Sequence, residues 1–242
     1  MEIVTQDDPS VIGRRNVDLA ASAALHHEGG SWKSQRTIAL LPAGKNIPTR
    51  VAVNHRNIIS PPNQPFAWQA CIGEEVGQGY SLMLDALLEH PELRTWDYVL
   101  TVEHDNLVPP DAYVKLLRSM EAHPEYAAIS ALYWTKGETG VPQIWGDVRD
   151  PVVNYRPQSP EPGRLVECYG LGMGFVLHRM SMFRELAERK LERPWWKTRA
   201  DVDGVNTQDI YFWQRVRPLG YRCAVDCDVK CGHLDTSTGI VW

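Results

Sequence analysis

Glu103 and Asp105 stand one residue apart at the end of a strand-forming run, Tyr98-Val99-Leu100-Thr101-Val102, and shortly before Pro109-Pro110. Carboxylate oxygens are the hard ligands that Mg2+ or Mn2+ prefers, and one or two of them can hold such a cation on a diphosphate. Open α/β sheets bind ligands beyond the carboxyl ends of their strands, which is where these acids fall. The same segment also reads as an acidic, solvated strand-to-helix loop, so the choice depends on partners elsewhere in the chain. His233 is one, since imidazole is a competent ligand, although a histidine at a strand end is often an ordinary polar residue. Asp209 is another; it follows Thr207-Gln208 at the start of an aromatic helix, where an acid is also simply a favourable N-terminal residue.

The elements that must position these groups follow from the pattern of the chain. TIALLPAG from Thr37 reads as a buried strand, and IPTRVAVNHRNII as a helix ended by Ser60-Pro61-Pro62. PFAWQACIG is a second strand, and VGQGYSLMLDALLEH an amphipathic helix with Leu82, Leu84, Ala86, Leu87 and Leu88 on its apolar side. The run from 98 to 105 is a third strand, apolar enough to be covered on both faces. A helix from Pro110 to Ala122 and a strand in YAAISALYW complete an alternating series. Such alternation predicts an α/β fold with a mainly parallel sheet flanked by helices. Residues 135–164 are rich in Pro and Gly and predict loop, with one short strand around Val141 to Trp145. LVECYGLGMGFVLHR then reads as a strand interrupted by glycines, SMFRELAERKL as a helix capped by Ser181, and RPWWKTRADVDGVNTQ as a loop. DIYFWQRVRPLG reads as a helix, and YRCAVDCDVKCGH as a final strand.

Composition narrows the function classes. The chain has 242 residues, 43% hydrophobic and 23% charged, which suits one large domain with an ample core. A net charge of −5 argues against an unspecific polyanion binder, though not against a local basic groove. No apolar run approaches the ~20 residues that span a bilayer, and MEIVTQDDPS lacks the pattern of a signal peptide, so a cytoplasmic location is expected. Five cysteines, an odd number, do not suggest a secreted disulfide framework. The segment CAVDCDVKCGH resembles a zinc site superficially. As a strand it places Cys223, Val225, Cys227, Val229, Cys231 and His233 on one face, with cysteines four apart separated by roughly 13 Å, too far to share an ion. Buried thiols are the better account, with zinc left for a segment that is not a strand. GLGMGF lies inside a strand rather than opening a helix, so a dinucleotide loop is disfavoured there. Gly170, Gly172 and Gly174 admit either a closely approaching chain segment or ligand, or relief of crowding in the core.

In order and spacing these segments resemble nucleotide-sugar glycosyltransferases of the GT-A fold, in particular the large family-2-like group. Glu103-His104-Asp105 resembles the family's Asp-x-Asp motif with Glu in first place. YGLGMGFVLHRMSMF resembles its glycine-containing strand and helix at the acceptor site, and TQDIYFWQRVRPLGYRCAVD its acidic-pair helix and following strand. His233 falls where many members carry a metal-binding histidine. The match runs from about Thr37 to His233. It implies 37–242 as one domain, with a nucleotide-binding half of about 37–134 and an acceptor-binding half of about 135–242, while residues 1–36, with little periodicity and Gly-rich polar pieces such as HHEGGSWKSQR, read as an extension of uncertain order.

The resemblance implies roles. Asp105 and His233 bind Mn2+ or Mg2+, with Glu103 contacting the ion's water shell or the donor ribose. Pro42, Ala43, Gly44, Glu74 and His104 border the nucleotide. Asp209 is the general base that takes the acceptor's proton, giving inversion. Gly172, Met173, Gly174 and Gln208 border the acceptor, and Trp195 and Trp196 close over donor or acceptor, with core packing as the alternative for both tryptophans. UDP follows from family frequency alone. The sequence departs from the family at three points: IGEEVGQGYS lacks the usual Asp and Ser-Thr-Asp, an Arg-Asn pair is missing from the next helix, and Gln208 replaces Glu. A retaining mechanism, a non-catalytic sugar-binding domain and a metal-dependent nucleotidyltransferase therefore stay open. The nucleotidyltransferase would want a basic Gly-rich phosphate loop after the first strand, where only Gly44 and Lys45 stand. The acceptor hydroxyl belongs to a glycan, a lipid-linked sugar, a protein side chain or a hydroxylated nucleic-acid base, as in a virus-encoded enzyme for modified DNA.

Overall fold

The computed structural model describes residues 35–61, 64–201 and 204–242, so the expected extension at 1–36 lies almost wholly outside the described residues. Eight strands form one sheet: β1 (Thr37–Ala43), β2 (Phe66–Ile72), β3 (Tyr98–Val102), β5 (Ala128–Leu132), β6 (Ile144–Asp147), β7 (Leu165–Leu171), β8 (Phe175–Arg179) and β11 (Cys223–Lys230). Their spatial order is β2-β1-β3-β8-β5-β11-β7-β6. The pairings make only β8 and β7 run against the other six strands, so the sheet is mainly parallel, as expected. Two short ladders lie outside it: β4 (Asn106–Leu107) with β12 (Gly232–His233), and β9 (Arg199–Asp201) with β10 (Gly204–Asn206), the latter within the expected loop.

Helices cover both faces because successive strand residues point to opposite sides. On β3, Val99 joins one buried cluster while Tyr98, Leu100 and Val102 join the other. The first cluster receives α2 (Val76–Glu89), α4 (Met180–Glu188) and α5 (Gln208–Val216); the second receives α3 (Ala112–Ala122). A further short helix, α1 (Thr49–His55), precedes β2 and holds the chain after β4 through its buried Asn54, whose amide accepts from Val108 N at 2.6 Å and donates to Val108 O at 3.0 Å.

Several local expectations change. The core face of α2 is Tyr80, Met83, Leu84 and Leu87, spaced i, i+3, i+4, i+7, whereas Leu82 is 49% exposed and Ala86 faces out. Ser181 lies inside α4 rather than capping it; Arg179 occupies the cap position and makes no side-chain cap bond. A register shift between Asp226 and Lys230 breaks the alternation of β11. Cys223, Val225 and Cys227 pack in the first cluster, but Val229 and Cys231 pack in the second, on the opposite side of the sheet. The cysteines are free thiols, divided between two cores.

The largest difference is that LVECYGLGMGFVLHR is two strands, β7 and β8, which share the direction opposed to the other six and are not neighbours in the sheet. The chain leaves β7 at Leu171 and re-enters between β3 and β5, so Gly172 and Gly174 lie against residues beyond the ends of those strands. A Cβ on Gly172 would sit 2.3 Å from Tyr133 Oη and 2.6 Å from Gln143 Oε1. One on Gly174 would sit 2.7 Å from both Asn106 Oδ1 and Tyr133 Cζ. The glycines thus admit neighbouring chain segments. Gly174→Ala is expected to lower stability by about 1–3 kcal/mol through this overlap. Gly44→Ala, whose Cβ would meet only Asn46 O at 3.9 Å, should change it by less than about 0.5 kcal/mol. Urea unfolding of the two variants checks the contrast.

Candidate metal centre

The parallel strands β1, β3, β5 and β11 end at one edge of the sheet, and β8, running the other way, begins there. That edge collects Pro42-Ala43-Gly44, Glu103-His104-Asp105, Tyr133 to Lys136, Gly172-Met173-Gly174 and His233. The edge is tied across the chain: Glu103 N donates to Gly174 O at 3.0 Å, and Leu234 N donates to Asp105 O at 2.8 Å. The β4–β12 ladder pairs His233 with Asn106 and Gly232 with Leu107, which places the imidazole beside the residue following Asp105.

Ligand atoms of Glu103, Asp105 and His233 all lie within 4.8 Å of one another. Donors bonded to one ion at about 2.1 Å lie at most about 4.2 Å apart, so side chains of this cluster draw in when they take up a cation. His233 is oriented for the task. Its Nδ1 lies 2.8 Å from Trp134 O, an acceptor, so Nδ1 carries a proton, and Nε2 faces Asp105 Oδ2 at 3.5 Å. Tyr133 packs edge-on against the imidazole with centroids 5.6 Å apart, while its hydroxyl accepts from Gly174 N at 2.7 Å.

The charges around the cluster favour a cation. Burial pushes the Glu103 carboxyl up to about 8, helped by the negative neighbours Asp105 and Asp209 and opposed by Lys136. Burial also works against ionised Asp105, but hydrogen bonds and charge from His233 and Lys136 outweigh it and hold that carboxyl well below the usual range. Asp209, 5% exposed, is raised mainly by burial, against hydrogen bonds to its charged form from the Thr207 hydroxyl and Ile210 N. Its Oδ1 accepts from Ile210 N at 2.8 Å, so Asp209 does satisfy the N-terminal turn of α5, and it also acts on Glu103. Three acids thus share one neighbourhood.

Pro42 and Ala43 are buried at the end of β1, and Gly44 is exposed beyond it. Glu74 is exposed, while Glu75 caps α2, its Oε2 accepting from Gln78 N at 3.0 Å and its Oε1 from the Thr198 hydroxyl at 3.0 Å. His104 is half-buried with Nδ1 unpartnered. Met173 O accepts from the Tyr80 hydroxyl at 3.4 Å. Gln208 packs against Gly77, where an added Cβ would lie 2.9 Å from its own Cβ.

Trp195 and Trp196 do not close over a ligand; both are 0% exposed. Trp196 stacks on Phe212 with centroids 5.0 Å apart, and Trp195 meets Phe183 edge-on while its Nε1 donates to Asp85 Oδ1 at 2.8 Å. They are core residues because α2, α4 and α5 converge on them. Sequence reasoning missed Lys136, whose Nζ lies 2.5 Å from Asp105 Oδ2, and Tyr133. Tyr133 was signalled as the end of an apolar strand, whereas a single lysine in a loop carries no periodic signal.

The chain matches no protein-family profile and no curated protein. Among solved structures it is similar to A197 from STIV, at 15% identity and a TM-score of 0.57, over 83% of this chain and 86% of that one. CMP:2-keto-3-deoxy-manno-octonic acid synthetase complexed with CTP gives 13% identity and a TM-score of 0.49 over 84% and 95% of the two chains. UDP-glucose pyrophosphorylase gives 12% and 0.42 over 89% and 78%. At these identities a likeness concerns the fold alone: α/β, with a large, mostly parallel central sheet flanked by helices. No helix among the described residues is long and apolar enough to cross a membrane.

The site itself supports a direct test. Calorimetric titration with Mn2+ alone should show one site, and Asp105→Asn should weaken it by more than the roughly 10–100-fold typical of changes outside a metal's own ligands.

Proposed function

We propose that the chain is a metal-dependent GT-A glycosyltransferase that moves a sugar from a nucleoside-diphosphate donor to an acceptor hydroxyl with inversion, a UDP-sugar being the donor to try first. The observation that carries this reading is the convergence of Glu103, Asp105 and His233 within 4.8 Å at the carboxyl edge of the sheet, with the buried acid Asp209 in the same field. Two carboxylates and an imidazole fit Mn2+ or Mg2+, and the nitrogen donor favours Mn2+, since Mg2+ takes oxygen almost throughout. When bound, the ion neutralises charge on the departing nucleoside diphosphate.

The chain's own residues supply the rest. Asp105 and His233 hold the ion. Glu103 completes its shell or meets the donor ribose. Asp209 takes the proton from the acceptor hydroxyl, and the burial that raises its proton affinity brings it nearer to what a general base needs. Thr207 and Ile210 N fix its carboxylate, leaving the carboxyl with one committed oxygen, Oδ1. Pro42 to Gly44, Glu74 and His104 border the nucleotide, while Gly172 to Gly174 and Gln208 border the acceptor. Glu75, committed to capping α2, is not available for base recognition. The nucleotidyltransferase reading is weaker, because Gly44 and Lys45, the only residues offering a phosphate loop, are exposed beyond β1 and follow it without a helix until Thr49.

Incubation with MnCl2 and a panel of nucleotide sugars should release nucleoside diphosphate slowly, and EDTA should stop it. Asp209→Asn should lower turnover by about 100-fold to 10,000-fold while leaving Mn2+ and UDP affinity within a few fold. Pyrophosphate release from a nucleoside triphosphate would contradict the proposal. So would nucleotide-sugar binding with no turnover on any acceptor.

A further inference from the structure

Lys136 belongs to none of the sequence motifs, yet its ammonium lies 2.5 Å from Asp105 Oδ2, an oxygen of the candidate metal cluster. The same oxygen faces His233 Nε2 at 3.5 Å. The ammonium and a cation held by Asp105 and His233 therefore contend for one oxygen, and like charges at that separation repel. One of the two must yield.

Lys136 is built to yield. Its side chain is one-third exposed, whereas that of Asp105 is 14% exposed. It carries a compact charge with rotatable donors on a flexible four-carbon stem. The backbone beneath it is fixed: Thr135 N donates to Val141 O at 2.9 Å, Val141 N donates to Thr135 Oγ1 at 2.9 Å, and Gly140 N closes on Gly137 O at 2.9 Å. Gly137, at φ +104°, turns the chain immediately after the lysine, in a conformation that a residue with a Cβ rarely adopts. Motion is thus confined to the stem, whose reach stays within the neighbourhood of Asp105. In that neighbourhood a cation-bound diphosphate would present negative oxygens, and an ammonium is a competent point-charge partner for phosphate.

We propose that Lys136 is an exchangeable counter-ion that occupies Asp105 in the metal-free protein and moves to the donor's diphosphate when the metal enters. The proposal rests on the metal-dependent, nucleoside-diphosphate reading of the site. It makes Lys136 a substrate-binding residue that weakens the metal site when nucleotide is absent.

Calorimetry on wild type and Lys136→Met tests it with three probes: Mn2+ alone, UDP at saturating Mn2+, and uridine at saturating Mn2+. The expected changes have opposite signs. Lys136→Met should bind Mn2+ alone about threefold to fivefold tighter, as loss of a partly exposed ion pair implies. It should bind UDP about tenfold or more weaker, from loss of a charge-assisted hydrogen bond, with uridine unchanged. A lysine that only braces the loop would loosen both ligands or neither. Mn2+ binding that is unchanged or weaker in the variant, or UDP binding that is unchanged, would overturn the proposal while leaving the metal site standing. Failure of the wild type to take up Mn2+ would sink the site reading and this inference together.

Discussion

A ladder of two residue pairs holds the candidate site together. Gly232 and His233 pair with Leu107 and Asn106, and Leu234 N reaches Asp105 O at 2.8 Å, so the acidic motif and the histidine, remote in sequence, meet at fixed register. A slip of one residue would turn the imidazole to the other face, because side chains alternate along a strand. The register is held on the far side too, where His233 and Trp242 exchange backbone hydrogen bonds at 2.9 and 3.0 Å. The change of face in β11 between Asp226 and Lys230 belongs to the same device, since it lets Cys231 enter the second core just before the ladder.

Electrostatics follows from that placement. Once the ladder and the sheet edge bring Glu103, Asp105 and Asp209 together and partly exclude water, negative charge becomes costly, and the three acids respond differently. Asp105 keeps its charge because Lys136 and His233 lie against it, whereas Glu103 and Asp209 hold protons more tightly because burial dominates. A divalent cation is the simplest group that would relieve this crowding.

Much of this was legible in the sequence. The unbroken strand at Tyr98–Val102 and the acids after it were readable because a strand covered on both faces leaves no polar residue until it ends. The alternation of strand and helix through residue 134 pointed to a mainly parallel sheet. The division of LVECYGLGMGFVLHR into β7 and β8 was not readable, because the turn between them is as apolar as its flanks. Its glycines answer to Tyr133, Gln143 and Asn106 across space. In the sequence Trp195 and Trp196 fitted either ligand stacking or core packing, and only the convergence of three helices decides for the core. Likewise the break in β11 hides in a sequence that alternates without fault, and Lys136 gains its importance only from Asp105 lying beside it.

The central claim is that Glu103, Asp105 and His233 form one cation site for a nucleoside diphosphate. Anomalous diffraction at the manganese edge from crystals soaked with Mn2+ and UDP addresses it most directly. The account predicts a single strong peak bounded by those three side chains, with diphosphate density on its open side. A peak elsewhere, or diphosphate density away from Asp105 and His233, would contradict it.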